Sequence, residues 1–249
     1  MRFTHYMSRL HTGAMRVLIG EIASGRWREG DLLPRELDLA ERFGVSRNVA
    51  RECIRGLEER GLVFVRHGRG ARVRPEHDWN RFDPDVLAAL LGGPRAADVI
   101  AEYLECRRIL EVEAAGLAAE RAGEPELDEL SEAFARMQLT AEGARDNPAG
   151  EALYREADVA FHRAVVRAAC NPVLGRMTQP IHRALSETFA ALARPQMRFE
   201  RGLPEHERIL AAIRAGDPEQ ARAAMRNHLL TVERYLREYG ERRAGTTAA

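Results

Sequence analysis

The sequence predicts a mainly α fold in two parts: three short helices closed by a β-hairpin, then an all-α bundle of seven helices. Three observations carry this. Between residues 8 and 74 short amphipathic runs are each stopped by a glycine and end in two β-stretches joined by a glycine-rich tip. Beyond residue 84 the apolar spacing is helical throughout, and the segments open on the proline pairs "DP", "GP", "EP", "NP", "NP", "LP" and "DP". Charge divides with them: residues 1–74 hold 15 Arg against 9 acidic residues, the remainder 23 Arg against 29.

The first helix is expected from about Ser8 to Ser24, burying Leu10, Ala14, Val17, Leu18 and Ile22, with Gly25 as its stop. After "REGDLLP" a second short helix, "RELDLAERF", closes at Gly44. A third opens at Ser46, whose hydroxyl can cap it, and runs "SRNVARECIRGLEER" to Gly61. The hairpin "LVFVRHGRGARVRP" follows. Three helices and a hairpin in this order are those of a winged helix-turn-helix, assigned to residues 8–74. Residues 75–83, "PEHDWNRFD", read as a linker, 84–240 as the helical domain, and 241–249 as a disordered tail. The seven helices of that domain are expected at roughly 84–92, 95–122, 125–141, 148–170, 172–194, 204–215 and 218–239.

With 249 residues the chain is long enough for a small and a large domain. It has no apolar run that could cross a bilayer and no signal-peptide pattern, so a cytoplasmic protein is expected. Cys53, Cys106 and Cys170 lie far apart without CxxC spacing, which favours reduced, packed thiols.

In the third helix Arg47, Arg51 and Arg55 recur every four residues and line one face; Val49, Ala50, Cys53, Ile54 and Leu57 line the other. An isolated helix of this kind is as readily a solvated arginine stripe. The tight turn at Gly44-Val45, the polar first turn Ser46-Arg47-Asn48, and Arg66, Arg69, Arg72 and Arg74 on the wing together favour DNA binding.

The stretch "LPRELDLAERFGVSRNVARECIRGLEERGLVFVRHGRGARV" resembles the N-terminal domain of GntR-type bacterial transcription regulators from Leu33 to Val73. The resemblance implies that Arg47 and Arg51 contact bases or phosphates, that Ser46 and Asn48 support them, and that His67-Gly68 enters the minor groove. Many members carry an Arg directly after the glutamate of the second helix; here Leu37 follows Glu36, and Arg35 precedes it.

Four features stand out in the helical part: "ECRRILEVEAA", with Arg107, Arg108 and Glu111; "EADVAFHRAVV", with Asp158 and His162; His206 in "LPEHERIL"; and His228 in "RNHLL". Asp158 and His162 lie one turn apart, close enough to hold one ion, and an unpaired carboxylate on an apolar face is expensive. Spacing alone leaves a metal pair and a hydrogen-bonded pair equally open. His5, His11, His77 and His182 are read as ordinary hydrogen-bonding histidines.

Residues 84 to 235 further resemble the FCD ligand-binding domain of the fatty-acid-regulator (FadR) subgroup, through "R-x-x-L-E", "D-x-x-F-H", "N-P-x-L", "E-H-x-x-I-x-x-A-I-x-x-x-D" and "M-x-x-H-L". By that resemblance Asp158, His162, His206 and His228 bind a divalent ion, and Arg107 holds the effector's carboxylate. Three imidazoles and a carboxylate suit zinc, nickel or manganese, with zinc favoured. The helix "DPDVLAALLG" and "WN-x-x-D" are similar to the seven-helix subgroup of galactonate-operon-repressor type, which points to a sugar acid.

The expected function is a homodimeric repressor of a palindromic DNA operator, modulated by a small carboxylate at a divalent-metal site. Two alternatives remain: a metal-dependent hydrolase with an Asp/His₃ centre, and a regulator whose metal is purely structural or is itself the signal.

Overall fold

The computed structural model describes residues 2–66, 68–143, 148–192 and 202–247. Contacts divide the chain into Met1–Val99 and Ile100–Ala249.

In the N-terminal unit, helix α1 (Arg2–Ala23) begins six residues before the expected Ser8. Its buried stripe is Ala14, Met15, Leu18, Ile19 and Ile22, whereas Val17, expected among them, is 46% exposed. Helix α2 (Glu36–Phe43) starts where the Asp38 side chain accepts from the Arg35 N–H at 3.1 Å, and ends at Gly44 with φ +61°. Helix α3 (Arg47–Glu59) is capped by Ser46, whose hydroxyl accepts from the Val49 N–H at 3.3 Å. Its inner face brings Ala50, Cys53 and Leu57 against α1, close enough that a Cβ on Gly56 would lie 2.3 Å from Met15 Cε.

Strands β1 (Val63–Arg66) and β2 (Gly70–Val73) form an antiparallel hairpin with Val63 opposite Val73 and Arg66 opposite Gly70. A short 3₁₀ turn (Glu76–Asp78) follows, within the residues read as a linker. Helix α4 (Pro84–Leu91) is capped by the Asp83 carboxylate, which accepts from Asp85 and Val86. It packs on α1, with Arg16 Nε 2.9 Å from Asp85 Oδ1, so this helix, expected as the first of the bundle, makes its contacts in the N-terminal unit. The physical reason is its apolar face: Val86, Leu87 and Leu90 are buried there.

The second unit contains α5 (Ala96–Arg121, which begins just before the division), α6 (Glu124–Gly143), α7 (Pro148–Ala168), α8 (Pro172–Leu192), α9 (Leu203–Arg214) and α10 (Pro218–Thr247). The last helix runs to Thr247, through residues expected to lack structure from 241 onward. The core is built from Leu130 and Met137 of α6, Tyr154, Phe161 and Val165 of α7, Ile209 and Ile213 of α9, and Met225 and Leu229 of α10. Helix α5 is buried on two sides: Val112, Ala115 and Ala118 join this core, and Ala114 packs with Val166 and Ala169. Of its polar residues, Arg107 and Glu111 lie on this buried side. All three thiols are free, and only Cys53 is packed as expected; Cys106 and Cys170 are exposed because their positions fall outside the apolar stripes of their segments. Burial pushes the Cys53 thiol up to about 11.

Gly61 is required twice over. Its φ is +74°, and a Cβ would lie 2.3 Å from the Asp78 carbonyl oxygen. Gly61→Ala is expected to destabilise the N-terminal unit by on the order of 1–3 kcal/mol or more. Urea unfolding followed by Trp27 and Trp79 fluorescence would measure it; an unchanged midpoint would contradict this account.

Candidate metal centre and nucleic-acid interface

Helices α7, α9 and α10 turn His162, His206 and His228 inward, each almost fully buried. One ligating nitrogen from each lies within 4.8 Å of the others. The outer nitrogens explain why. His206 Nδ1 donates to the Gly202 carbonyl oxygen at 2.7 Å, and His228 Nδ1 donates to Glu205 Oε2 at 3.0 Å. His162 Nδ1 lies 2.6 Å from Glu111 Oε2. With Nδ1 bonded in His206 and His228 and facing Glu111 in His162, each ring turns its Nε2 to the centre.

There His162 Nε2 and His206 Nε2 stand 3.2 Å apart, and Asp158 Oδ1 lies 3.3 Å from His206 Nε2. Asp158 thus joins the three histidines through His206. Such a gathering of lone pairs is what a cation satisfies, so the residues present fit a divalent ion.

Glu111, one turn after Arg107 on α5, is fully buried and holds the outer layer together. Its Oε1 accepts from Arg107 Nε at 2.8 Å and lies 2.6 Å from His182 Nε2. Burial alone would raise its carboxyl, but Arg107, then His162 and His182, outweigh this and keep it well below the usual carboxylate range. Burial would likewise raise Asp158, yet its contact with His206, then the neighbouring His162, His206 and Arg107, hold it far down. Burial, seconded by Arg107, pushes His162 down to about 3; burial and then His206 push His228 well below its ordinary value. Both rings are therefore neutral near pH 7, as metal ligands must be.

Sequence reasoning missed the supporting acceptors and His182. Glu111 stood in a noticed motif without a role, and Glu205 sits directly before His206, but nothing local marks the Gly202 carbonyl. His182, expected as an ordinary hydrogen-bonding residue, does bond Glu111, yet it lies beside the cluster with Nδ1 unpartnered. Arg107 is buried, and its Nε is already taken by Glu111. With Asp158, His162, His182 and Ser186 it lines a small, partly open pocket beside the cluster.

At the other candidate site, Arg47 and Arg51 project from the first turns of α3 with exposed side chains. Glu36 of α2 holds both, at 3.1 Å to Arg47 Nε and 3.5 Å to Arg51 Nε. Asn48 accepts from Arg51 at 3.2 Å, while Ser46 serves as the helix cap. Arg55 pairs with Glu59, and Arg72 and Arg74 donate to backbone carbonyls. At the wing Gly68 has φ +72°, and Arg66 lies over the Phe64 ring. His67 lies outside the described residues.

The buried histidines set a pH dependence. In the unfolded chain His162 and His228 take up protons near pH 6.5, while in the fold they resist, so the unfolded state binds more protons and stability falls as pH drops below that value. In excess chelator, His162 should cost about 2 kcal/mol between pH 7 and 5, and His228 should add to the loss in the same direction. The melting temperature should therefore fall over this range, and the fall should shrink in a His162→Gln, His228→Gln protein; equal slopes would contradict the assignment.

Comparison with known proteins agrees with both halves. Residues 13–73 match the bacterial regulatory proteins of the gntR family, and residues 102–231 match the FCD domain. The chain is 34% identical over 226 residues to the HTH-type transcriptional regulator LutR of Bacillus subtilis strain 168, covering 88% of this chain and 98% of LutR. It is 33% identical over 222 residues to the galactonate operon transcriptional repressor of Escherichia coli strain K12, covering 88% and 93%. The HTH-type transcriptional repressor NanR of Klebsiella aerogenes is 31% identical over 229 residues, covering 88% and 82%. Among solved structures, that of Lar, which controls the expression of the Listeria monocytogenes agr system, shares the fold with a TM-score of 0.58 at 21% identity, covering 90% of this chain and 96% of Lar. A gntR-family reading unit joined to an FCD domain, with relatives that are regulators over nearly their whole length, makes this chain a transcription regulator rather than a hydrolase, and it belongs to the GntR family, FadR-like subgroup.

Proposed function

We propose that this regulator is a homodimeric, cytoplasmic, metal-containing repressor whose grip on a palindromic operator changes when a small carboxylate, a sugar acid among the candidates, binds beside the ion. The observation that carries the reading is the convergence of His162, His206 and His228, the outer nitrogens of the last two bonded to acceptors and that of the first 2.6 Å from Glu111. Nothing in ordinary core packing calls for three such rings in mutual contact.

Asp158, His162, His206 and His228 would hold the ion. A donor set of three imidazoles and one carboxylate suits zinc, nickel or manganese, zinc foremost. When bound, the ion supplies concentrated positive charge that draws an organic carboxylate. Arg107 adds to this: with Nε on Glu111, its two terminal amino groups remain for the same acid. Arg107 thus both pairs with the Glu111 that holds the cluster and lines the cavity. Two relatives bear the name repressor, one of them for a galactonate operon, which favours negative control and an acid of that class.

At the DNA end, Arg47 and Arg51 would read the operator, supported by Ser46 and Asn48, with His67 and Gly68 at the wing tip in the minor groove. Glu36 keeps both guanidiniums in place before DNA arrives. Because these pairs are exposed and individually weak, about 0–1 kcal/mol, a phosphate or a guanine edge can displace the carboxylate.

Electrophoretic retardation on a palindromic fragment from the neighbourhood of the protein's own gene would test the DNA half. Arg47→Ala with Arg51→Ala should weaken binding by roughly tenfold or more and flatten its salt dependence; retention of wild-type affinity would refute the assignment.

Elemental analysis should find one divalent ion per chain, lost in His206→Ala and His228→Ala. A sugar acid should raise the melting temperature of the loaded protein and weaken its DNA complex, and Arg107→Ala should lose both responses. If the ion raises the melting temperature but no acid does, the metal is structural only.

A further inference from the structure

The three arginines on the outer face of α3 are all paired with carboxylates, but not in the same way. Arg55 pairs at 3.2 Å with Glu59 of its own helix, both side chains lying open to solvent. Arg47 and Arg51 share Glu36, which comes from the first turn of another helix and whose side chain is only 29% exposed. The two contacts use different oxygens, Oε2 for Arg47 and Oε1 for Arg51, and each meets its arginine at Nε. Asn48 fixes Arg51 further by accepting from Nη2 at 3.2 Å. Held through Nε, each guanidinium keeps terminal N–H donors for a further partner.

A carboxylate at a surface that meets DNA acts in two opposed ways. On DNA of any sequence it offsets part of the positive charge that Arg47 and Arg51 offer, and it repels phosphate oxygens. On an operator it also helps, because a bidentate contact to a base edge depends on how the guanidinium plane lies before it arrives. Phosphates accept an arginine in many orientations, so on other DNA the repulsion acts without this compensation.

We infer that Glu36 is a specificity-determining residue of the DNA-reading surface, one that disfavours binding to other sequences more than it disfavours binding to the operator. The inference rests on the DNA reading above. Specificity is a difference of affinities, and a charge that repels the wrong partner contributes to it as much as a contact with the right one. Glu59 supplies the internal contrast. It lowers the charge of the same face but arranges no pair of arginines, so its effect should be alike on every sequence.

Fluorescence anisotropy on the full-length protein would test this with two duplexes of equal length: one selected by the wild-type protein from a random pool, the other with the same bases shuffled. Glu36→Gln should bind the shuffled duplex about fivefold tighter at about 0.1 M salt, with a log–log salt slope steeper by about one, as expected when one more cation is free for phosphate. Its affinity for the selected duplex should change by about twofold or less, so that the preference falls by about threefold or more. Glu36→Ala, which leaves no amide to bond the arginines, should act in the same direction. Glu59→Gln should tighten both duplexes equally and keep the preference. Weaker binding of both duplexes by both Glu36 variants, or an equal fall of preference in Glu59→Gln, overturns the inference. If the Glu36 variants keep the full preference while Arg47→Ala with Arg51→Ala loses it, the inference alone is overturned; a wild-type protein that selects no sequence overturns the DNA reading with it.

Discussion

The centre of the C-terminal bundle depends on one buried carboxylate. Glu111 has no exposed surface, and its charge is tolerated because Arg107, His162 and His182 meet it from three helices. Removing one partner of a buried pair typically costs about 3–5 kcal/mol, since the remaining charge stays out of water. That constraint sets the orientations around it. His162 is held with Nε2 inward, Arg107 is drawn alongside the cavity instead of reaching for solvent, and His182 is brought to 2.6 Å from the same carboxylate. The Gly202 carbonyl and Glu205 do the same for His206 and His228 on the opposite side.

Glu36 offers a contrast within the same chain. It also gathers two arginines, but at the surface, where water and salt screen the charges and the geometry is looser. A buried carboxylate fixes a constellation; an exposed one holds side chains in readiness and can be displaced. The two kinds of pairing match what each site is asked to do. An ion site needs ligands held to a fraction of an ångström, whereas a reading helix needs guanidiniums that can be handed to phosphates and bases.

Much of the fold was legible because its signals are local. Gly44 and Gly61 end helices with φ values of +61° and +74°, Ser46 and Asp83 cap the helices that follow them, and prolines open the bundle helices near where they were read. The misreadings also have local causes. Helix α1 continues to Arg2 and α10 to Thr247, since residues at either end can extend a helix whose middle is packed. Val17 looked apolar enough to bury, but the stripe that meets α3 passes through Met15 and Ile19 instead. Helix α4 was grouped with the bundle by its helical character; its partner, α1, could not be read from that character.

By itself the sequence determined the two-part plan, the arginine face of α3, and the Asp158-His162 pair one turn apart, because periodicities of 3.6 and 2 and the chemistry of turns act over a few residues. Only the tertiary structure decided that His162 and His206, 44 positions apart, would bring their nitrogens to 3.2 Å, and that Glu111 rather than solvent would receive Arg107 and His182. It also decided which polar atoms were left unmet. The reason is that hydrogen-bond completion at a buried site is settled by the packing of separate helices. A histidine's spacing along its own helix says where the ring projects; the acceptor waiting on another helix says which nitrogen it shows.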